Sequence, residues 1–378
     1  MTEMVIGVIG CGSISDAYLK GAARSNLIRV KSVADLRADA AAAKALEYGV
    51  AAVSVDALLA DPEIGLVLNL TIPAAHAPVD LRIVQAGKHA YSEKPLAVNV
   101  AEAETMLAAA KANGVRVGCA PDTFLGAGHQ ACRRAIDQGR IGAPVAGAIT
   151  IMSHGMEHWH PNPLFYYQRG GGPVHDMGPY YLTQLINLLG PVTRVAAQAS
   201  IGNPVRTVTS QPHAGMKINV DVPTTVNGVL EFASGANVSA SLSWDVWKHR
   251  RPPIEIYGTE GSLLNPDPNW FGGEPMVTRG EGEWEPLDIS DLPFGAPNRK
   301  TRVGLEVGDY RIIGLLDMVA AIRDGRPHRA SADLALHVLE VMDAFETSSI
   351  EGRHVTIRHT CARPAAMPTG AGEDVFGG

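Results

Sequence analysis

Val5-Ile6-Gly7-Val8-Ile9-Gly10-Cys11-Gly12-Ser13-Ile14-Ser15 is the stretch whose reading decides the fold. A short, continuous apolar run ending in glycines fits a strand buried on both faces of a parallel sheet. Gly10 to Ser15 match G-x-G-x-x-G, with Ser15 in the third glycine position. Gly10 permits a tight turn, and Gly12 lets the backbone approach a pyrophosphate. A small third residue lets helix and strand pack closely. A helix beginning near Ser13 aims free N–H groups, those of Ser13 and Ile14 among them, at phosphates.

The same pattern repeats outward. Ile28 to Asp35, Leu66 to Leu70 and Val115 to Cys119 read as further strands. Alanine-rich stretches between them, Arg37 to Tyr48, Ala74 to Ala86 and Asn99 to Ala112, read as helices. Strand and helix alternating on short connections predict a doubly wound α/β domain over residues 1–122. Asp35 stands 20 residues beyond Ser15. An acid there accepts both hydroxyls of an adenosine ribose and repels a 2′-phosphate, which favours NAD. Arg37, able to pair with that phosphate, keeps NADP open.

Composition sets limits. The chain has 378 residues, 46% hydrophobic and 19% charged, with net charge −7. That is ordinary for a globular protein of about two domains. A mildly acidic chain is a poor candidate for nucleic acid or an anionic membrane. No apolar run is long enough to span a bilayer. Met1-Thr2-Glu3-Met4 carries no basic segment, so no signal peptide is expected. Cys11, Cys119, Cys132 and Cys361 follow no metal or disulfide spacing and read as buried thiols of a cytoplasmic protein.

Residues 123–362 read as an α+β domain. Val238, Ala240, Leu242 and Trp244 alternate with Asn237, Ser239, Ser241 and Ser243, the pattern of an antiparallel strand in a half-buried, open sheet. Ala233-Ser234-Gly235 supplies its turn, and Ile254 to Tyr257 is another strand. Residues 265–300 look like a long surface excursion. Helices are expected near Tyr310 to Asp324 and Ala332 to Ser349, then a loose tail over 363–378.

Two motifs carry chemistry. Glu93-Lys94-Pro95 comes after a short strand, and Gly170-Gly171-Gly172-Pro173-Val174-His175-Asp176-Met177-Gly178-Pro179-Tyr180 opens a helix. With the glycine loop, they resemble the glucose–fructose oxidoreductase / inositol dehydrogenase (Gfo/Idh/MocA) family across nearly the whole chain. The resemblance implies an N-terminal Rossmann domain and a C-terminal domain with a large, mostly antiparallel open sheet. It also implies NAD-dependent hydride transfer on a sugar or polyol. Lys94 would then contact nicotinamide ribose and substrate, with Glu93 beside it, and Asp176 would hold a substrate hydroxyl. Lysine suits the task because its charge stabilises a developing alkoxide. The family's D-x-x-x-H histidine is replaced by Tyr180, so the proton acceptor is either Tyr180, helped by a cation such as Lys94, or another group.

The turn Asn69-Leu70-Thr71-Ile72-Pro73-Ala74-Ala75-His76 leaves a strand end of the kind that the family turns toward the nicotinamide. Thr71 offers a hydroxyl and Pro73 sets the turn. His76 is open between ligand contact and a structural hydrogen bond. Asp122, leaving the last strand, is a candidate for the nicotinamide or a substrate hydroxyl. His154, Trp159, His160 and Tyr166 lie in a stretch rich in groups that bind sugars. A metal is the rival there, but His158 and His160 lack a third fixed ligand, so none is expected. Two other functions stay open: a sugar oxidoreductase that holds and recycles its cofactor, and a non-catalytic NAD-binding sensor. The small, uncharged serine face predicts a homodimer or homotetramer formed through the open sheet.

Overall fold

A computed structural model describes residues 3–301 and 304–376. Met1 and Thr2, on which the signal-peptide expectation partly rests, lie outside them. The chain divides into two compact units. The first comprises Met1–Gly126, Asp291–Leu336 and Pro364–Gly378, and the second Ala127–Ser290 and His337–Arg363.

In the first unit, β1 (Met4–Ile9), β2 (Ile28–Ala34), β3 (Ala51–Ala52), β4 (Leu66–Asn69), β5 (His89–Ser92) and β6 (Val117–Cys119) form one parallel sheet. Its order is β3-β2-β1-β4-β5-β6. Helices α1 (Ser15–Ala22), α2 (Ala38–Tyr48), α3 (Val55–Ala60), α4 (His76–Gln85) and α5 (Val100–Ala112) connect the strands. Ile6, Val8, Leu66 and Val67 are fully buried, so these runs are apolar because both faces are covered. Caps start two helices where propensity alone would not. The Ser54 side chain accepts the Ala57 N–H, and Asn99 accepts that of Glu102.

The first unit is not continuous in sequence, because residues from 291 onward return to it. Helix α8 (Ile313–Arg323) packs on β6. The edge of β6 is covered where Cys119 donates to the Ala330 carbonyl and Gly118 bridges Ser331. That leaves no open strand edge there. A linear cut at 122 cannot show this return. The C-terminal stretch expected to be loose is also packed, with Met367 and Phe376 buried. Its Pro and Gly content set the backbone path and left its anchoring side chains inconspicuous.

The second unit holds α6 (Ala127–Asp137), β7 (Pro144–Met152), α7 (Gly172–Leu189), β8 (Val192–Ser200), and a ribbon of β9 (Val205–Thr207) and β10 (Lys217–Asn219). Then come β11 (Thr225–Phe232), β12 (Asn237–Ser243), β13 (Ile254–Gly258), β14 (Gly261–Asn265), β15 (Met276–Arg279) and β16 (Glu285–Pro286). The two-residue strands β17 (Arg299–Lys300) and β18 (Glu306–Val307) pair within the first unit. Helix α9 (Ala332–Glu351) and β19 (Val355–Thr356) come last. The nine-stranded sheet runs β16-β15-β14-β13-β7-β12-β11-β8-β19. Every pairing is antiparallel except β7 with β12. Residues 265–300 thus contribute strands as well as loops. Val238, Ala240 and Leu242 are buried, while Ser239 is exposed opposite Ala148 and Val229. Trp244 lies past the end of β12, in a small separate core with Met156, Tyr167, Val208 and Ile218.

Candidate active site

In a parallel sheet every strand ends at the same edge. The loops after β1, β2, β4 and β5 therefore leave one edge of the first unit, around the point where strand order reverses beside β1. Gly10 has φ +101°, and a Cβ there would come within 2.5 Å of the Leu70 carbonyl, so only glycine fits. A Cβ on Gly12 would meet nothing within 4 Å, so its bare backbone faces open space. Ser15 is buried, and its hydroxyl donates to the Gly12 carbonyl at 2.6 Å, holding the loop against α1. Ser13 and Ile14 line a cavity of about 950 Å³ with Lys20, Arg24 and Arg311. Sequence reading missed Arg311, because nothing local shows that residues 309–313 return beside the glycine loop.

Asp35 is clipped in place. One carboxylate oxygen accepts the Cys11 N–H at 2.8 Å and the other accepts that of Arg37 at 2.8 Å. The acid is thus fixed to the loop, with lone pairs remaining for a diol. Arg37 is exposed in extended backbone just before α2. These features fit a dinucleotide: a bare glycine, free N–H groups at a helix start, and an acid beyond the second strand.

After β4, the Thr71 hydroxyl and N–H both donate to Asn69 Oδ1, at 2.7 and 3.2 Å. Pro73 opens a 3₁₀ turn leading into α4. After β5, Glu93 accepts the Tyr18 hydroxyl at 2.7 Å and the Lys94 N–H at 3.0 Å. Lys94 itself is half-buried.

Two candidates have other tasks. His76 is buried, and both ring nitrogens face carbonyl oxygens, those of Pro95 at 2.6 Å and Thr71 at 3.0 Å. Its ring is engaged inside the protein, which corrects its placement as a cofactor contact. Asp122 is also buried. Its Oδ2 accepts the N–H groups of Ile312 at 3.0 Å and Gly314 at 2.9 Å, at the start of α8. Desolvation pushes its carboxyl up to about 6, against those hydrogen bonds. It anchors a helix rather than presenting itself to substrate.

In the second unit, Asp176 and Tyr180 stand one turn apart on α7, hence on one helix face. Asp176 is partly exposed and Tyr180 buried. Pro179 lacks the N–H that would bond the His175 carbonyl. The neighbouring His175 ring lies 3.2 Å from the Asp343 carboxylate. The aromatic stretch divides. His154 stacks on Trp247, ring centroids 3.3 Å apart, beside a cavity of about 710 Å³ shared with His158, Thr207, Thr209 and His249. Trp159, His160 and Tyr166 instead make a ring cluster with Phe165.

Buried Arg206, which sequence reading also missed, organises this loop. It pairs with Glu157 at 2.9 Å and with Asp245, and donates to the carbonyls of Trp244 and His154. Burial alone would raise the Glu157 carboxyl. Hydrogen bonds from Tyr167 and Arg206 outweigh it and hold the group below its ordinary range. Among the described residues, no group of three or more His, Cys, Asp or Glu side chains is arranged to hold a metal.

Comparison with known proteins adds the rest. The family model described as an oxidoreductase family with an NAD-binding Rossmann fold matches residues 4–120. The Gfo/Idh/MocA C-terminal domain matches residues 129–264. A 1,5-anhydro-D-fructose reductase of Ensifer adhaerens is 30% identical over 293 residues, 76% of this chain and 84% of that protein. An inositol 2-dehydrogenase of Rhizobium meliloti is 26% identical over 353 residues, 93% and 98% of the two chains. A crystal structure of an NAD-binding oxidoreductase from Klebsiella pneumoniae superposes with TM-score 0.80 at 24% identity, covering 94% of this chain and 99% of that one.

Proposed function

The chain belongs to the Gfo/Idh/MocA family of NAD-binding oxidoreductases, and we propose that it transfers hydride between nicotinamide and a carbinol carbon of a sugar or polyol. One observation carries this reading: the glycine loop, Asp35, Thr71 and Lys94 leave adjacent strands at one edge of a parallel sheet. Relatives that reduce 1,5-anhydro-D-fructose and oxidise inositol support the substrate class.

When bound, NAD supplies the hydride acceptor. The chain's own residues hold it and move the proton. Backbone N–H groups of Ser13 and Ile14 bind the pyrophosphate. Asp35 takes the ribose diol, with Arg37 at the mouth of that site, and Thr71, Pro73 and Glu93 shape the nicotinamide end. The Lys94 ammonium offsets charge on the substrate oxygen as its proton leaves. Asp176 accepts a neighbouring hydroxyl. Tyr180, or a histidine of residues 154–160, receives the proton. We place His154 with the substrate, and give Trp159, His160 and Tyr166 the wall that shapes its loop.

Four buried free thiols suit the reducing cytoplasm, and no helix among the described residues is long and apolar enough to cross a membrane. We further propose that two or four copies assemble through the open sheet around Ser239.

The test is a panel of myo-inositol, D-glucose, D-xylose and 1,5-anhydro-D-fructose with NAD⁺, NADP⁺, NADH and NADPH, monitored by absorbance at the nicotinamide band. Turnover of a sugar or polyol is expected. Nicotinamide binding without turnover of any carbinol or carbonyl would point to the sensor instead. Cofactor retained through purification, read by native mass spectrometry, would point to internal recycling.

A further inference from the structure

The loops bearing Thr71 and Lys94 are joined by one buried side chain. His76 Nδ1 lies 2.6 Å from the Pro95 carbonyl and Nε2 lies 3.0 Å from the Thr71 carbonyl. Carbonyl oxygens only accept, so a ring nitrogen that carries a proton donates to the carbonyl it faces. Pro95 has no N–H, so its carbonyl is the backbone group through which this residue can be anchored.

The ring is itself held. The His76 carbonyl accepts Asn69 Nδ2 at 3.1 Å, and the same amide donates to Asp80 at 2.9 Å. The other Asp80 oxygen accepts the Ser92 hydroxyl. Asn69, Asp80 and Ser92 are fully buried. The Asn69 carbonyl accepts the Glu93 N–H at 3.0 Å, reaching the same turn from its other side. Desolvation pushes the Asp80 carboxyl up to about 6, opposed by the Ser92 and Asn69 hydrogen bonds and by the nearby His76 ring. Such a buried hydrogen-bonded network is stiff.

We propose that His76 is a positioning residue: a strut between the Thr71 and Pro95 carbonyls that fixes where Lys94 stands relative to the loop after β4. It acts through backbone and touches neither cofactor nor substrate. Its catalytic consequence rests on the reading of Lys94 as the cation at the reacting oxygen, while its mechanical consequence does not.

The experiment therefore has two readouts. His76→Phe fills the same space and donates nothing. His76→Gln donates to one carbonyl. Hydrogen exchange over residues 91–98, with NADH affinity by fluorescence, reports the turn. Turnover on the best panel sugar reports its consequence. In His76→Phe we expect exchange in the turn at least about tenfold faster. NADH affinity should stay within about threefold, and kcat should fall about a hundredfold with KM little changed, the size expected when a catalytic group is misplaced by about 1 Å. His76→Gln should recover part of both. Unchanged exchange in the turn overturns the strut, whatever happens to turnover. A loosened turn with kcat within twofold of wild type overturns its catalytic consequence. Lys94→Ala, measured alongside, shows whether the catalytic reading falls with it. Should His76→Phe fail to fold, His76→Gln carries the same outcomes.

Discussion

Asp122 poses a sharp question, because its two contributions oppose one another. The carboxylate accepts two buried N–H groups at the start of α8, yet it is buried to 1% exposure. Its carboxyl rises from the ordinary 3.8 to about 6. At 1.36 kcal/mol per pH unit that is on the order of 3 kcal/mol against the ionised folded state. A raised folded value means the favourable contribution is complete below pH 3.8 and lost as pH climbs through 6. Between pH 7.5 and 5 about half returns, on the order of 1 kcal/mol or about tenfold in an opening equilibrium. Asp122→Asn keeps an acceptor and removes the charge; Asp122→Ala removes both. The difference between the two variants isolates the hydrogen bonds, and should reach at least about 2 kcal/mol for two orphaned N–H groups. Tryptophan fluorescence would watch the wrong unit, since Trp159, Trp244, Trp247, Trp270 and Trp284 all lie in the second. Amide exchange over residues 310–318 reads the helix start directly. Wild type should gain about tenfold protection over Asp122→Asn on going from pH 7.5 to 5, after correction for intrinsic rates. Parallel pH profiles for those two proteins would refute the buried charge. Protection in Asp122→Ala equal to that in Asp122→Asn would refute the anchor.

Other outcomes rest on the same geometry. Lys94→Ala should lose about 10²–10³-fold in kcat with NADH affinity nearly intact, because its charge matters most as the alkoxide forms; turnover near wild type removes it from the mechanism. Asp35→Ala should lower kcat/KM for NAD⁺ about tenfold, equivalent to a diol hydrogen bond, while sparing NADP⁺; a tenfold wild-type preference for NADP⁺ would shift the credit to Arg37. Arg206→Met leaves the buried Glu157 carboxylate without its cation and takes one from partly buried Asp245, and should cost about 3 kcal/mol in urea unfolding monitored by tryptophan fluorescence; a loss under 1 kcal/mol contradicts that pairing. Ser239→Arg puts a charge beside Ala148 and Val229 on the open sheet and should drive the assembly to a monomer by light scattering. An unchanged oligomer places the subunit contact elsewhere.

How far the sequence could be read depends on how local each cause is. The glycine loop was legible because its constraints act within a dozen residues: a positive φ at Gly10, a bare backbone at Gly12, a small Ser15. Asp35 was legible because strand length fixes its distance from that loop. Asp122 misled because an acid leaving a strand end in such a sheet normally faces ligand. What claims it is the pair of N–H groups at Ile312 and Gly314, 190 and 192 residues on. For His76 two readings stayed open, because its place in the first turn of α4 said nothing of the Pro95 carbonyl, 19 residues away. Arg206 gave no signal, since a lone arginine between short strands looks like surface until two carboxylates close around it. The period of two in β12 was legible, but Ser243 at its end is buried beside Thr225, and strand alternation cannot specify the parallel partner β7.

These long-range contacts share a physical logic. The nucleotide-binding sheet ends at β6, and an open parallel edge would leave its backbone groups unpaired. The returning segment closes that edge with Ala330 and Ser331, and seats Ile312 on α1 so tightly that a Cβ on Gly21 would stand 2.7 Å from the Ile312 methyl. Ile312 has φ +125°, which a branched side chain disfavours. The Asp122 carboxylate offsets that strain by accepting its N–H. The N-terminal sheet is thus completed by residues made more than 200 positions later, and the helix that follows the phosphate loop is held from behind by the same returning segment. A fragment ending at residue 126 would keep every nucleotide motif and lose the cover of β6, the partner of Asp122 and the packing behind α1. The motifs specify the cofactor; the returning segment gives them a stable sheet to stand on.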